Sequence, residues 1–172
     1  MKSLLIAVSS IAVLAGAASA QEGPFRIGAG YQAIDTDGAT YDALTLRGSY
    51  DITPFFALEG DLLIGLGDES VTVGGTTFNS SIDYGVGLYG VAQYPLTEQF
   101  TVFARGGYIY ADVEGSVGGL TVSSDIDGWA FGAGAEWAFN GPNAVRFDYT
   151  RYDFVNGNGN ADAFGISYVR RF

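Results

Sequence analysis

Two carboxylates separated by a single residue are the feature of this chain that most suggests chemistry. Glu59 and Asp61 stand at positions i and i+2, a spacing that places both side chains on the same face of a β-strand. Such a pair could share acid–base work, one group giving a proton that the other accepts. The sequence contains no histidine and no cysteine, so an imidazole base and a thiolate nucleophile are excluded.

Arginines at equivalent positions favour a structural interpretation of these two acids. Nine charged residues fall on one side of the alternating pattern described below: Arg26, Arg47, Glu59, Asp61, Asp83, Arg105, Glu136, Arg146 and Asp148. Acids and arginines on the inner face of a closed sheet would pair in a salt-bridge network, because an unpaired buried charge is costly. We therefore expect a structural charge network that fills the lumen, and no enzyme, catalytic residue, cofactor or metal site.

The elements that would position these residues are β-strands. Apolar and polar residues alternate in eight segments, at about 25–34, 42–52, 56–66, 82–94, 100–111, 127–139, 144–154 and 164–172. Segments of about 10 residues are long enough for a tilted strand to cross a bilayer. The sequence therefore predicts an all-β fold, an eight-stranded antiparallel up-and-down transmembrane β-barrel.

The two faces of these strands differ in a way that indicates which one meets lipid. Small residues such as Gly85, Gly107 and Gly132 share the charged face, as a crowded interior requires, whereas bulky aromatic residues share the uncharged face. A soluble barrel would reverse this arrangement. Because alternation alone does not say which face is inside, a secreted lipocalin-like binding barrel remains the alternative.

The connections between segments are also asymmetric. Pro54, Pro95 and Pro142 lie in short connections after even-numbered strands, and Pro24 precedes the first strand on the same side. Proline cannot donate to a strand ladder, so its confinement to one rim leaves the spanning strands intact. The opposite connections are longer and polar. Short turns beside the termini and longer loops opposite are typical of outer-membrane barrels, whose long loops face outside the cell.

Both ends of the chain point to export. Residues 1–20 have the pattern of a signal peptide, with Lys2, an apolar stretch and Ala18-Ser19-Ala20 before Gln21, so residues 21–172 would form the mature barrel domain. The last strand ends at the aromatic Phe172. A net charge of −11 argues against a nucleic-acid partner.

Together these patterns resemble the small eight-stranded outer-membrane β-barrel family of Gram-negative bacteria, of the OmpA transmembrane-domain, OmpX and opacity-protein type. The resemblance implies a monomer in the cell outer membrane, in contact with membrane lipid and lipopolysaccharide. It also implies that the barrel assembly machinery recognises the terminal strand through Phe172. Arg170 departs from the family, which often has an aromatic residue at that position.

The interior of eight strands is just wide enough for side chains to fill. The expected function is therefore a structural or surface-interaction role, with a narrow porin-like channel for small solutes as the competing function. The extracellular loops and strand ends are acidic, which indicates either a solvated surface or bound divalent cations, since hard cations prefer carboxylate oxygens. These acids are Asp35, Asp37, Asp42, Asp68, Glu69, Asp112, Glu114, Asp125, Asp127, Asp153 and Asp162.

Overall fold

The computed structural model describes residues 23–36, 39–73, 76–117, 120–155 and 159–172. For the described residues within 68–81 and 114–123, only the backbone and its strand pairing are discussed. The predicted signal peptide and Asp37 lie outside the described residues. The described part contains no helix that is long and apolar enough to cross a membrane.

The described residues form nine antiparallel β-strands. Their bounds are β1 Phe25–Thr36, β2 Thr40–Thr53, β3 Phe56–Gly65, β4 Asp68–Val73, β5 Thr76–Pro95, β6 Phe100–Val117, β7 Leu120–Asn140, β8 Asn143–Phe154 and β9 Asn160–Arg171. The strands are hydrogen-bonded in the order β3-β2-β1-β9-β8-β7-β6-β5-β4, and an additional β3–β5 pairing closes the sheet on itself. This is the predicted all-antiparallel barrel.

The barrel has eight strand positions because β3 and β4 are two parts of one strand. Both pair with β5, β3 with residues 84–92 and β4 with residues 76–81. The break falls at Gly67, whose φ of 145° is a conformation that glycine adopts without a steric penalty. The prediction of eight crossing strands is therefore confirmed, with the third strand interrupted near its extracellular end.

The outer surface of the barrel carries two groups of exposed aromatic side chains. One group lies at the end with the chain termini and contains Phe25, Tyr50, Phe56, Tyr94, Phe100, Trp137 and Phe139. The other group lies toward the opposite end and contains Tyr84, Tyr108, Tyr110, Trp129, Tyr149 and Phe164. Exposed Leu, Ile and Val side chains lie between them, which is the arrangement of an apolar band with aromatic girdles at both membrane interfaces. A soluble lipocalin-like barrel would have the opposite polarity.

Asp83 corrects one of the sequence-based assignments. In β5, Ile82 pairs with Val113 and Tyr84 pairs with Asp112, so Asp83 is an extra residue in a β-bulge. The extra residue reverses the alternation of inward and outward side chains beyond it. Ile82 consequently packs against the barrel core, whereas Asp83 is exposed and does not belong to the lumen.

One side of the barrel rises above the rest at the extracellular end. There β4 and the adjoining parts of β5, β6 and β7 form a four-stranded sheet, paired through Val71–Phe78, Phe78–Val117 and Val117–Leu120. On the other side, β1 ends at Thr36, β2 begins at Thr40 and β8 ends at Phe154. The extracellular rim is therefore a high wall on one side and a low edge on the other.

Candidate functional site

Six buried charged residues in the middle of the lumen form what we call the ion-pair layer. It consists of Arg47, Glu59, Asp61, Arg105, Arg146 and Asp148, each exposed by 5% or less. They come from β2, β3, β6 and β8, whose alternation turns these side chains inward. Three positive and three negative charges balance, so the layer is neutral although it is removed from water. Neutrality is what makes burial of so many charges tolerable.

Two arginines in this layer form forked ion pairs. Arg47 donates from Nε to Asp61 Oδ1 at 2.8 Å and from Nη2 to Oδ2 at 3.1 Å. Arg146 donates from Nη1 to Glu59 Oε2 at 2.6 Å and from Nη2 to Oε1 at 3.1 Å. The planar guanidinium matches both carboxylate oxygens in such pairs, which fixes the geometry as well as adding energy.

Arg105 joins the remaining members of the layer. Its Nη1 donates to Glu59 Oε1 at 2.8 Å and to Asp61 Oδ2 at 2.7 Å. Its Nη2 donates to Thr150 Oγ1 at 2.7 Å and lies 3.4 Å from Asp148. The guanidinium carbon also lies 4.4 Å from the centre of the Tyr89 ring, within the range of a cation–π interaction.

Inward-facing glycines make room for these long side chains. A Cβ on Gly132 would lie 3.2 Å from Arg105 Nε, and one on Gly165 would lie 3.1 Å from Asp148 Oδ2. A Cβ on Gly134 would lie 2.6 Å from the Phe103 ring, over which Arg146 stacks at 3.8 Å. Glycines on β7 and β9 thus leave space for the charged side chains that enter the lumen from the other strands.

The extracellular half of the lumen is filled by a second, apolar layer, which we call the apolar cap. It consists of Ile34, Ala43, Leu63, Ile82, Ile109, Ala130, Tyr152, Phe154, Ala161 and Ala163. Gln32 crosses to it and donates from Nε2 to the Tyr152 hydroxyl at 3.2 Å. The charge network predicted from the sequence did not include this apolar cap. The inward parity of Ile34, Ile109 and Tyr152 was the signal that could have revealed it.

A third group of polar residues lies at the end of the barrel that carries the chain termini, and we call it the periplasmic mouth. Arg26 Nη2 donates to Asp51 at 2.6 Å and to Gln93 at 2.8 Å, and its Nη1 lies 3.4 Å from Glu136. Arg171 Nη2 lies 3.6 Å from Asp51. The network predicted from the sequence contains Arg26 and Glu136 but not Asp51 and Arg171. Both omitted residues have the inward parity of their strands.

Buried hydrogen-bond donors, mainly arginines, occupy the Glu59 and Asp61 carboxylates. Both accept hydrogen bonds from two or more donors, and both are nearly fully buried. A general acid or base must reach its substrate, and these groups reach only arginines and Ser49. In the part of the chain with described side chains, there is no group of three or more Asp, Glu, His or Cys residues that could hold a metal ion.

A closed antiparallel barrel with an apolar belt and a charge-filled lumen is a small transmembrane β-barrel. The chain belongs to the family described as "Outer membrane protein beta-barrel domain", whose model matches residues 3–172. It is therefore an integral protein of the cell outer membrane, as the sequence resemblance implied. No curated protein sequence matches this chain.

Solved structures with this fold are distant in sequence. Ail, the attachment invasion locus protein of Yersinia pestis, in complex with the heparin analogue sucrose octasulfate, is similar with a TM-score of 0.64 and 16% identity, over 88% of this chain and 99% of that one. The N-terminal β-barrel domain of Pseudomonas aeruginosa OprF is similar with a TM-score of 0.60 and 10% identity, over 87% and 99%. The outer-membrane enzyme PagL is similar with a TM-score of 0.52 and 16% identity, over 86% and 99%. At these identities the likeness shows the fold alone.

Proposed function

We propose that this protein is a non-conducting, non-catalytic barrel that holds a protruding β-sheet at the cell surface for contacts with other molecules. The observation that carries the proposal is the filled lumen, in which the neutral ion-pair layer is followed by the apolar cap. A membrane protein whose interior is occupied in this way does its work at its surfaces.

The filled lumen argues against the competing porin-like function. Water and ions would have to pass between the forked pairs of Arg47 and Arg146 and then cross a layer of Ile, Leu, Ala and Tyr side chains. The apolar cap offers ions no compensating hydrogen bonds, so their desolvation would not be repaid. Eight strands also leave little space beyond what side chains fill.

PagL is an enzyme with the same fold, so the fold by itself does not decide whether this chain is catalytic. The proposed absence of catalysis rests instead on the residues of this chain. The sequence has no histidine or cysteine to act as base or nucleophile. The buried carboxylates are committed to arginines. Among the residues that the structure describes, no set of catalytic side chains is therefore evident.

The protruding sheet supports a role in surface contacts. Pairing between β7 and β8 begins at Gly128, so Leu120–Asp127 has no strand partner on that side within the described residues. An unpaired edge offers backbone donors and acceptors to an extended segment of another protein. One cross-strand row of the sheet is Val71–Phe78–Val117–Leu120, and the adjacent row is Ser70–Asn79–Ser116–Thr121.

The negative charge of the extracellular end restricts which partners can bind there. Exposed acids there include Asp42, Asp83, Asp125 and Asp153, and Arg151 is held by Asp162 at 3.0 Å. Ail was solved with a polyanion, a heparin analogue. For this chain we propose instead a partner that is basic or uncharged, because a polyanion would be repelled.

Further partners follow from the membrane position. The outward girdles would contact outer-membrane lipid and lipopolysaccharide, and the closed barrel supports a monomer because its strands pair within one chain across the membrane. Divalent cations would bind at the acidic rim together with lipid phosphates. Assembly would begin with recognition of Phe172, which directly follows the last strand. Loss of heat stability on chelation would support the cation proposal, and no change would remove it.

Planar-bilayer recordings test the closed lumen. The purified, heat-modifiable barrel should give no discrete conductance steps, whereas a general porin at the same protein density should give them. Reproducible conductance steps from the folded barrel would contradict the proposal and support the narrow-channel function.

A shortened variant tests the protruding sheet. Joining Asp112 to Asp125 by a two-residue turn removes the free edge of β7 and leaves the membrane-spanning parts of β6 and β7 in place. The variant should still insert and shift mobility on boiling, but cells carrying it should lose adhesion or aggregation that the unmodified protein confers. Unchanged adhesion in cells with equal amounts of folded protein would contradict the proposal.

A further inference from the structure

The periplasmic mouth contains a cavity that no part of the proposed surface role uses. It has a volume of about 280 Å³ and lies among the ends of β2, β5, β6, β7, β8 and β9. This is near the lower limit for a ligand pocket, so a fitting ligand would be small. The ion-pair layer lies deeper in the lumen than this cavity, which is on the periplasmic side.

Asp51 lines this cavity but has little capacity left for a ligand. One of its oxygens accepts from Arg26 at 2.6 Å and from Gln93 Nε2 at 3.1 Å, and the other lies 3.6 Å from Arg171. Its charge is therefore already compensated by two arginines.

Glu136, by contrast, retains capacity to accept hydrogen bonds. Its contact with Arg26 is a single long one, 3.4 Å from Nη1 to Oε2, and its side chain is 12% exposed toward the mouth. Arg26 lies beneath, and its Nε is buried without an acceptor in the described part of the chain. Glu136 thus offers an uncommitted carboxylate oxygen to the cavity, and the uncommitted Nε of Arg26 lies behind it.

Arg171 retains donors on the opposite side of the same cavity. Its contact with Asp51 is 3.6 Å long, and its side chain is 40% exposed. Between Glu136 on β7 and Arg171 on β9 the wall is apolar, formed by Ala138, Ala144 and Val169. Glu136 pairs with Arg146 and Arg146 pairs with Ser167, so Arg171 lies two strands away and four residues farther along β9. This places the backbones of Glu136 and Arg171 about 16 Å apart.

We propose that this cavity binds a short zwitterionic peptide with free termini. The ammonium group would lie against the Glu136 carboxylate, and the terminal carboxylate would accept hydrogen bonds from Arg171. Small apolar side chains of the peptide would pack on the wall of Ala138, Ala144 and Val169. A tripeptide spans about 10 Å from end to end at roughly 3.3 Å per residue, and the side chains of Glu136 and Arg171 extend over the rest of the distance between their backbones.

Titration of the whole barrel with trialanine tests the site. The ¹⁵N-labelled protein in lipid nanodiscs should show saturable chemical-shift changes at the cavity residues, with a Kd of about 1 mM. Glu136→Gln and Arg171→Gln should each weaken binding about tenfold, the value of one ion pair. Glu98→Gln is the matched control, since it removes the same charge from the exposed rim of the cavity and should change the Kd less than twofold.

Peptides with one blocked terminus test which terminus binds Glu136 and which binds Arg171. They can be measured on the unmodified barrel, so the result does not depend on the folding of a variant. N-acetyl-trialanine should bind the unmodified barrel about tenfold more weakly than trialanine does, and Glu136→Gln should not weaken its binding further. Trialanine amide should likewise bind the unmodified barrel about tenfold more weakly, and Arg171→Gln should not weaken its binding further. The proposal is overturned if no saturable shifts appear, if blocked peptides bind as well as the free one, or if Glu98→Gln weakens binding as much as Glu136→Gln.

Discussion

Arg146 and Glu59 form a forked ion pair although their strands lie on opposite walls of the barrel. Arg146 is on β8 and Glu59 is on β3, four strand positions apart in either direction around the sheet. Their closest contact is 2.6 Å. Arg47 and Asp61 are instead direct cross-strand neighbours on β2 and β3. The ion-pair layer therefore links neighbouring strands and also spans the lumen, which makes it a brace against deformation of the barrel.

Replacement of Asp61 by Asn should destabilise the barrel strongly, whereas the same replacement at Asp83 should not. Asp61→Asn leaves Arg47 and Arg105 buried with an uncompensated charge, and removal of one partner of a buried pair costs about 3–5 kcal/mol. Asp83 is exposed, so Asp83→Asn should change the free energy of unfolding by less than about 0.5 kcal/mol. Urea unfolding in lipid vesicles, followed by tryptophan fluorescence, measures both. Equal losses of unfolding free energy in the two variants would mean that Asp83 lies in the lumen.

The contact across the lumen should appear as coupling in a double-mutant cycle. Glu59→Gln and Arg146→Gln should each lower the free energy of unfolding, and the double variant should lose about 1–3 kcal/mol less than the sum of the two, because the second change removes a charge that the first left unpaired. Glu98→Gln combined with Arg146→Gln is the control pair, and its effects should add. Additive losses for Glu59 and Arg146 would mean that the two side chains do not meet.

Two glycines on neighbouring strands should respond in opposite ways to alanine. At Gly30 a Cβ would lie 2.2 Å from the carbonyl oxygen of Ile166, so Gly30→Ala must separate β1 from β9 and should cost about 1–3 kcal/mol. At Gly48 a Cβ meets nothing within 4 Å, and Gly48→Ala should be neutral or stabilising by about 0.5–1 kcal/mol. The temperature at which mobility shifts on a heat-modifiability gel reports the difference. A loss at Gly48 as large as that at Gly30 would contradict the packing of the inner face.

Assembly should depend on the last residue of the chain. Phe172 donates its backbone N–H to the Phe25 carbonyl at 2.8 Å, and the Arg170 guanidinium lies 5.5 Å from its ring. Phe172→Ala should reduce the amount of heat-modifiable barrel in the outer membrane several-fold, while the purified variant refolds in detergent nearly as well as the unmodified chain. Arg170→Phe, which supplies the aromatic spacing of the family, should raise assembly or leave it unchanged. Normal assembly of Phe172→Ala would remove the predicted signal.

The sequence by itself determined the strands and the polarity of their two faces. Alternation with a period of two is a local property, since neighbouring side chains on a strand must point to opposite sides. Arg47, Asp61 and Arg146 could therefore be assigned to one face without knowledge of the barrel. The same alternation predicted the eight strands, and the resemblance to the outer-membrane barrel family implied the closed fold and the outer-membrane location.

The tertiary structure alone decided which charges meet and where the lumen closes. The bulge at Asp83 reverses the inward and outward positions by one residue, and no periodic pattern specifies where such an extra residue falls. Arg146 reaches Glu59 only because the sheet closes with a particular register, which brings residues 87 positions apart in the chain to one level. The apolar cap and the periplasmic cavity have the same origin, because the stacking of inward residues into layers depends on how all eight strand positions are staggered around the barrel.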